Sequence, residues 1–217
     1  MNNENGAETR IILIRHGQTA WNKEEVFRGR ADVPLDDIGS QQAEAVAAAL
    51  QDEPIALVVA SPLSRALQTA QALARSHDLP VTANEALIDI DFGRWQGVPA
   101  AQVQQQYPEL YAAWLTRPHN VRFPGGEALD TVADRAFAGL EALVERHVGD
   151  TIALIAHRVV NKLLICRVLG LDSSHFWQIK QDTACINRLS FGATGWVLEC
   201  LNDTSHLRHL SAAAADF

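Results

Sequence analysis

An α/β fold, a three-layer α/β/α sandwich around a mostly parallel central sheet, is predicted from two features of this sequence. Three short runs are apolar at every position: residues 11–14, Ile55–Ala60 and residues 152–156. Such runs suit strands buried on both faces. Segments with helical spacing and helix-start residues lie between them, and strands alternating with helices favour a sheet covered on both sides. The chain has 217 residues, 47% apolar and 20% charged, an ordinary composition for a soluble globular protein. At this size a domain buries roughly 70% of its unfolded surface, so a full core needs no staples.

The elements follow in order. Residues 11–14 form the first strand. Residues 38–50, rich in Ala and Gln with Asp36 or Asp37 at the start, form a helix. Ile55–Ala60 is the second strand and ends at Ser61-Pro62, a cap residue followed by Pro at the first helical position of the next helix. Residues 117–126, with Pro118, Pro124 and Gly125-Gly126, read as a loop within one domain. In 131–147, Val132, Ala136, Leu140, Leu143 and Val144 recur near helical spacing. After the strand at 152–156, residues 184–189 and 196–201 are two late strands, separated by Gly192 and Gly195. No repeat or linker interrupts the chain, so 1–217 is expected to be one domain with frayed ends at 1–8 and 211–217.

Eighteen basic against 26 acidic residues give a net charge of −8, with a pI near 5.4. This argues against a nucleic-acid or anionic-membrane surface while leaving room for a small cationic pocket. No apolar stretch approaches the roughly 18 residues of a membrane span. The polar, acidic N-terminus does not look like a signal peptide. Cys166, Cys185 and Cys200 are an odd, widely spaced set that suits reduced thiols in a cytoplasmic setting and offers no metal-ligand spacing.

Ligand sites in open α/β sheets gather at the carboxyl ends of strands. The first strand runs into Arg15-His16-Gly17, the second into Ser61 with Arg65 one turn on, the third into His157. If these strands are parallel neighbours, two arginines and two histidines converge on one edge. The natural ligand of such a nest is a small dianion, and phosphate fits best because Arg offers its oxygens paired hydrogen bonds. Taken singly, each residue has a plainer explanation: an Arg-His-Gly is common, a histidine after a strand is usually structural, and a helical Arg is usually solvated.

Taken together, Arg15-His16-Gly17-Gln18-Thr19-Ala20-Trp21-Asn22 resembles the signature of the histidine phosphatase superfamily, the phosphoglycerate mutase-like proteins. The resemblance continues through Phe27-Arg28-Gly29-Arg30, Pro34-Leu35, and Gly39 with Gln42-Ala43. It takes in residues 61–70, Asp91-Phe92-Gly93-Arg94-Trp95-Gln96-Gly97, Pro124-Gly125-Gly126-Glu127 and Ala156-His157. It implies a phosphoglycerate mutase-like sandwich without metal or cofactor, acting on a small phosphorylated metabolite. His16 is then the nucleophile, kept neutral by the neighbouring Arg15 and Arg65. Arg15, Arg65 and His157 hold the phosphoryl oxygens. Asn22 matches a phosphate-contacting position, Thr19 adds a hydroxyl, and Arg28 with Gly29 lies on the rim loop, where Arg28 is placed to meet a second acidic group. Relatives carry a Glu proton donor four residues before the glycine of the Phe-Gly-x-Trp segment; counting back from Gly93 gives Asp89, one methylene shorter, with Glu85 and Asp91 as alternatives. Glu127 either borders the pocket or caps the helix at 131–147. Arg158 stands where many relatives have glycine and is expected to point sideways rather than bind phosphate. His119, in the Pro-rich loop read as a lid, and His206, near the C-terminus, are outlying candidates for substrate contact.

Within the superfamily, the stretch 107–126 and residues 176–177 and 202–207 look like metal-independent phosphoserine phosphatases. Phe92 departs from them at a position where they use histidine. Broad-specificity and α-ribazole phosphatases are also similar. A mutase moving phosphate within one sugar acid, and a non-catalytic phosphate-binding relative, are the competing expectations. The sequence leaves oligomeric state open, a homodimer being the commonest assembly.

Overall fold

The structure, a computed structural model, describes residues 7–210. The frayed ends expected at 1–8 and 211–217 therefore lie, apart from Ala7 and Glu8, outside the described residues. Six strands form one sheet: β1 (Thr9–Arg15), β2 (Ile55–Ala60), β3 (Val81–Ala83), β4 (Thr151–Ala156), β5 (Ile186–Gly192) and β6 (Gly195–Asp203), in the order β3-β2-β4-β1-β5-β6. The pairs β2–β3, β2–β4 and β1–β4 are parallel; β5 and β6 complete the sheet as an antiparallel hairpin beside β1.

Alternation along the central strands creates the layers. Ile12 and Ile14 of β1, with Ala153 and Ile155 of β4, face α2 (Asp37–Leu50) and α3 (Ser64–Ser76). Ile11, Leu13, Ile152 and Leu154 face α6 (Leu129–Arg146) and α7 (Arg158–Val168). The short α1 (Ala20–Lys23) follows β1, and α4 (Ala100–Gln106) and α5 (Pro108–Thr116) stand in the long excursion between β3 and α6. That excursion is held by an aromatic cluster. Trp95 and Trp114 are fully buried, and Phe123 packs edge-on against both, at centroid distances of 5.1 and 5.4 Å. Burying each such ring stabilises the fold by roughly 1.5–3 kcal/mol, enough to pin a segment poor in strands.

Two helix starts differ from the sequence expectation. Ser61 does not cap α3: the helix begins at Ser64, whose N–H donates to Asp32 Oδ1 at 2.7 Å. Glu127 does not cap α6, which starts at Leu129 after Ala128. Asp36 does cap α2, accepting from the Gly39 N–H at 2.8 Å. All three cysteines are free thiols. Among the described residues no helix is long and apolar enough to cross a membrane.

The registers of β1 with β4 and β2 with β4 bring Arg15 beside Ala156 and Ala60 beside Ile155, so three strands end level. The loop leaving β1 then crosses the first turn of α2 at van der Waals contact. A methyl group on Gly39 would stand 2.0 Å from the Gln18 carbonyl oxygen, and one on Gly17 would stand 2.5 Å from that of Gly39. Backbone cannot yield there as a flexible side chain can. Gly39→Ala is expected to lower the free energy of unfolding by about 1–3 kcal/mol. Urea denaturation measures it, and a loss below about 0.5 kcal/mol would contradict the crossing.

Candidate active site

The level strand ends place His16, His157, Arg15 and Arg65 together, none of them more than 1% exposed. The two imidazole rings lie 5.2 Å apart, centroid to centroid. Burying a guanidinium costs several kcal/mol unless hydrogen bonds satisfy it, and here main-chain carbonyls do so. Arg15 NH1 donates to Gln181 O at 2.6 Å. Arg65 NH1 donates to Ala31 O and NH2 to Gly29 O, both at 2.8 Å. The Gln181 side chain is held in turn by hydrogen bonds: its Oε1 accepts from Nδ2 of Asn161 and of Asn187, and its Nε2 donates to Asn187 Oδ1. Burial pulls Arg65 down to about 10, opposed chiefly by the Asp89 carboxylate.

Ring chemistry follows from local hydrogen bonds. His16 Nδ1 lies 2.6 Å from the Gly17 carbonyl, which only accepts, so Nδ1 carries the proton and Nε2 keeps its lone pair. Burial, then the charges of Arg65, Arg15 and Arg28, hold the His16 pKa well below 6.5. His157 Nε2 meets Ser61 Oγ at 2.7 Å, and Ser61 Oγ receives the Leu63 N–H at 3.4 Å. If the Ser61 hydroxyl donates to Nε2, the His157 proton sits on Nδ1, which lies 3.7 Å from Asp89 Oδ2 and makes no hydrogen bond among the described residues. Burial, Arg65 and His16 depress this ring as well.

Of the three carboxylates weighed as proton donor, the structure brings Asp89 to the nest: Oδ2 accepts from Arg65 NH2 at 3.2 Å. Asp91 is turned away, accepting from the Gly93 N–H at 2.7 Å, and Glu85 opens a helical turn (Glu85–Leu87) outside the cleft. The Asp89 backbone is tethered by two cations that sequence reasoning missed in this role. Arg135 NH2 donates to Asp89 O at 3.1 Å and Arg30 Nε does so at 3.3 Å. Both also bind Glu127, which accepts the Asp91 N–H at 3.0 Å. Burial works to raise the Glu127 carboxyl, but the hydrogen bonds of Arg135 and of the Asp91 N–H outweigh it and hold the group below its usual range. Glu127 thus neither caps its helix nor lines the cleft; it fixes the loop that carries Asp89. The one sequence hint was Arg135 itself, a cation set between the buried Val132 and Ala136.

An open cleft lies over the nest, with His16, Arg28, Asp89 and Arg158 as its charged or polar lining and Gly29 at its rim. Val26, Phe27, Phe92 and Val159 supply apolar walls. Arg158 lies against Trp177, its guanidinium carbon 5.8 Å from the ring centroid, yet borders the cleft rather than turning wholly sideways. Asn22 is buried: Oδ1 accepts from the Thr19 N–H and hydroxyl, both at 2.9 Å, while Nδ2 has no protein partner. The Thr19 hydroxyl is therefore committed to Asn22, which removes it as a phosphate donor. His206 and His119 are absent from the lining. His206 Nε2 donates to Ala184 O at 3.0 Å, and the turn holding His119 (Pro118–Asn120) packs against residues 173–178, with Val121 and Phe123 buried, as an anchored segment rather than a free lid. Among the described residues, no group of three His, Cys, Asp or Glu is placed to hold a metal ion.

Comparison with known proteins matches this geometry to a family. A family model described as histidine phosphatase superfamily (branch 1) matches residues 11–204. Phosphoserine phosphatase 1 of Hydrogenobacter thermophilus is 34% identical over 198 residues, covering 91% of this chain and 94% of that protein. Among solved structures, Bacillus stearothermophilus YhfR is similar with a TM-score of 0.88 and 27% identity, over 92% of this chain and 100% of its own. A mycobacterial glucosyl-3-phosphoglycerate phosphatase gives 0.83 and 27%, over 91% and 100%. The match begins in β1 and runs past β6, taking in every residue of the nest, and the chain belongs to the histidine phosphatase superfamily, branch 1.

Proposed function

We propose that this chain is a metal-independent phosphatase that hydrolyses a small phosphomonoester through a phosphohistidine at Nε2 of His16. The observation that carries it is the 2.6 Å contact of His16 Nδ1 with Gly17 O, which leaves a neutral ring with a free lone pair among buried cations. In the first step Nε2 bonds to phosphorus and the ester P–O bond breaks. The departing oxygen takes a proton from the Asp89 carboxyl. The ring then carries a proton on Nδ1 and phosphorus on Nε2, and its positive charge is shared with the Gly17 carbonyl. Arg15, Arg65 and His157 Nδ1 hold the phosphoryl oxygens and oppose the charge of the transition state, and Asn22 Nδ2 is a further donor of the right kind. In the second step Asp89 takes a proton from water, whose oxygen attacks phosphorus; the N–P bond breaks and inorganic phosphate leaves. The three free thiols suit a cytoplasmic setting.

Replacement of His16 by Ala removes the atom that accepts the phosphoryl group. Turnover of p-nitrophenyl phosphate is expected to fall by about 10⁴-fold or more, and a variant within tenfold of the parent would exclude His16 as nucleophile.

Asp89→Asn is expected to slow alkyl phosphates by roughly 10²–10⁴-fold and aryl phosphates much less, because aryl oxides leave without a proton. Comparing kcat/KM for the two ester types tests this; equal losses would move the acid role to another group.

Both rings stay neutral in the folded chain well below pH 6.5, whereas unfolded histidines protonate near 6.5. Below that pH the unfolded state binds more protons, so stability is fully present above about 6.5 and falls as pH falls. Each ring contributes at most about 1.4 kcal/mol per pH unit. Denaturant unfolding between pH 7 and 5 should show this decline, shallower in His16→Gln; a flat profile would mean that the rings are not held neutral.

A further inference from the structure

Residues 202–207, with the sequence Asn-Asp-Thr-Ser-His-Leu, are absent from the lining of the cleft. They grip a loop on which the nest depends. Residues 181–185 lead into β5, and their main chain holds both residues at the end of β1. The Gln181 carbonyl accepts from Arg15 NH1 at 2.6 Å, and the Cys185 carbonyl accepts from the Arg15 N–H at 3.2 Å. The Ala184 N–H donates to the His16 carbonyl at 3.1 Å. The places of Arg15 and His16 therefore follow the backbone path of this loop.

That path is not one the loop favours by itself. Ala184 is fully buried, its methyl part of the core on the α2 side, with φ at +54°. A residue with a Cβ avoids this left-handed region, and holds it only where the surrounding structure over-determines it. Two side chains from 202–207 do so. Asn202 and Asp182 bond reciprocally: Asn202 Oδ1 accepts the Asp182 N–H at 2.7 Å, and Asn202 Nδ2 donates to Asp182 Oδ2 at 2.8 Å. His206 Nε2 donates to the Ala184 carbonyl at 3.0 Å. Both clamps are anchored in turn. The Asn202 N–H donates at 2.8 Å to Asn187 Oδ1, the same oxygen that accepts from Gln181 Nε2 at 2.7 Å. Asp203 Oδ1 accepts from the Ser205 N–H at 2.8 Å, fixing the turn Ser205–Leu207 that presents His206, and Leu207 packs against the core.

We propose that Asn202 and His206 are positioning residues for phosphoryl transfer: from outside the cleft they lock residues 181–185 in the path that sets Arg15 and His16. This rests on the phosphatase function proposed above and gives the C-terminal segment a part in it.

The test uses variants of the intact chain with p-nitrophenyl phosphate. Asn202 itself has φ at +55°, so Asn202→Gly keeps the backbone and its N–H while removing both bonds to Asp182. His206→Phe keeps a ring and removes the donor; His206→Gln restores an N–H donor. In Asn202→Gly and His206→Phe kcat is expected to fall about tenfold or more, with KM little changed, because misplaced reacting groups cost up to about 10²-fold. Vanadate, which takes the five-coordinate geometry of the transition state, should lose affinity in step with kcat, and inorganic phosphate much less. His206→Gln should recover most of the loss. Adding Asp182→Ala to Asn202→Gly should slow the enzyme no further, since the two side chains act as one unit. Asn202→Gly carries the test where His206→Phe does not fold. Folded Asn202→Gly with the parent kcat, or equal losses of vanadate and phosphate affinity, would overturn the lock. Failure of His206→Gln to recover activity would overturn the role of His206. A parent that neither turns over any ester nor binds vanadate would instead overturn the phosphatase function itself.

Discussion

The fold is organised around a costly demand: two guanidinium groups and two imidazoles must share one buried corner. Left to water, Arg15 and Arg65 would be more stable by several kcal/mol each. They stay because three carbonyls from two separate segments, Gly29 and Ala31 in one loop and Gln181 in another, are aimed at them, and because both rings remain uncharged. The parallel strands serve this end. Only adjacent strands with level ends bring residues 15–16, 61 and 157 within reach of each other, and only glycine at 17 and 39 lets the loop after β1 lie close enough on α2 to hold that geometry.

The second demand concerns the proposed proton donor, which sits on a shorter arm. Asp89 has one methylene fewer than the glutamate expected from the family pattern, so its main chain has to be held where the carboxyl reaches Arg65. The cross-brace of Arg30, Arg135 and Glu127 does this, gripping the carbonyl of Asp89 and the N–H of Asp91 at once. The close approach of Gly93 and Gly126, where a methyl on Gly126 would stand 2.3 Å from Asp91 O, seats the same loop against residues 124–127. Positioning here comes from charged side chains outside the cleft.

Residues whose role depends on strand ends were legible in the sequence, because an apolar run followed at once by Arg-His-Gly, Ser or His states both the strand and its polar terminus. That is why β1, β2, β4 and the nest were foreseen. The helices α4, α5 and α7 were not: α7 is buried on nearly all faces and shows no clean stripe, while α4 and α5 are short and lean on tertiary aromatic contacts. The capping roles given to Ser61 and Glu127 went astray for a related reason. Each side chain had a helix-capping backbone partner in prospect, but another side chain, His157 from a separate strand end for Ser61 and Arg135 two turns into α6 for Glu127, takes it instead. A partner set by tertiary packing, as His157 is for Ser61, leaves no trace in spacing. Arg158 shows the same limit, since its support comes from Trp177, beyond the end of its own helix.

The central claim is that an uncharged His16 accepts the phosphoryl group at Nε2. Rapid quenching of the enzyme with a ³²P-labelled ester, followed by mapping of the labelled residue and of the nitrogen that bears phosphorus, tests it most directly. One acid-labile, alkali-stable phosphoryl group on Nε2 of His16, formed and lost at the rate of turnover, is the predicted result. Label on another residue or on Nδ1, or steady turnover with no labelled protein, would contradict it.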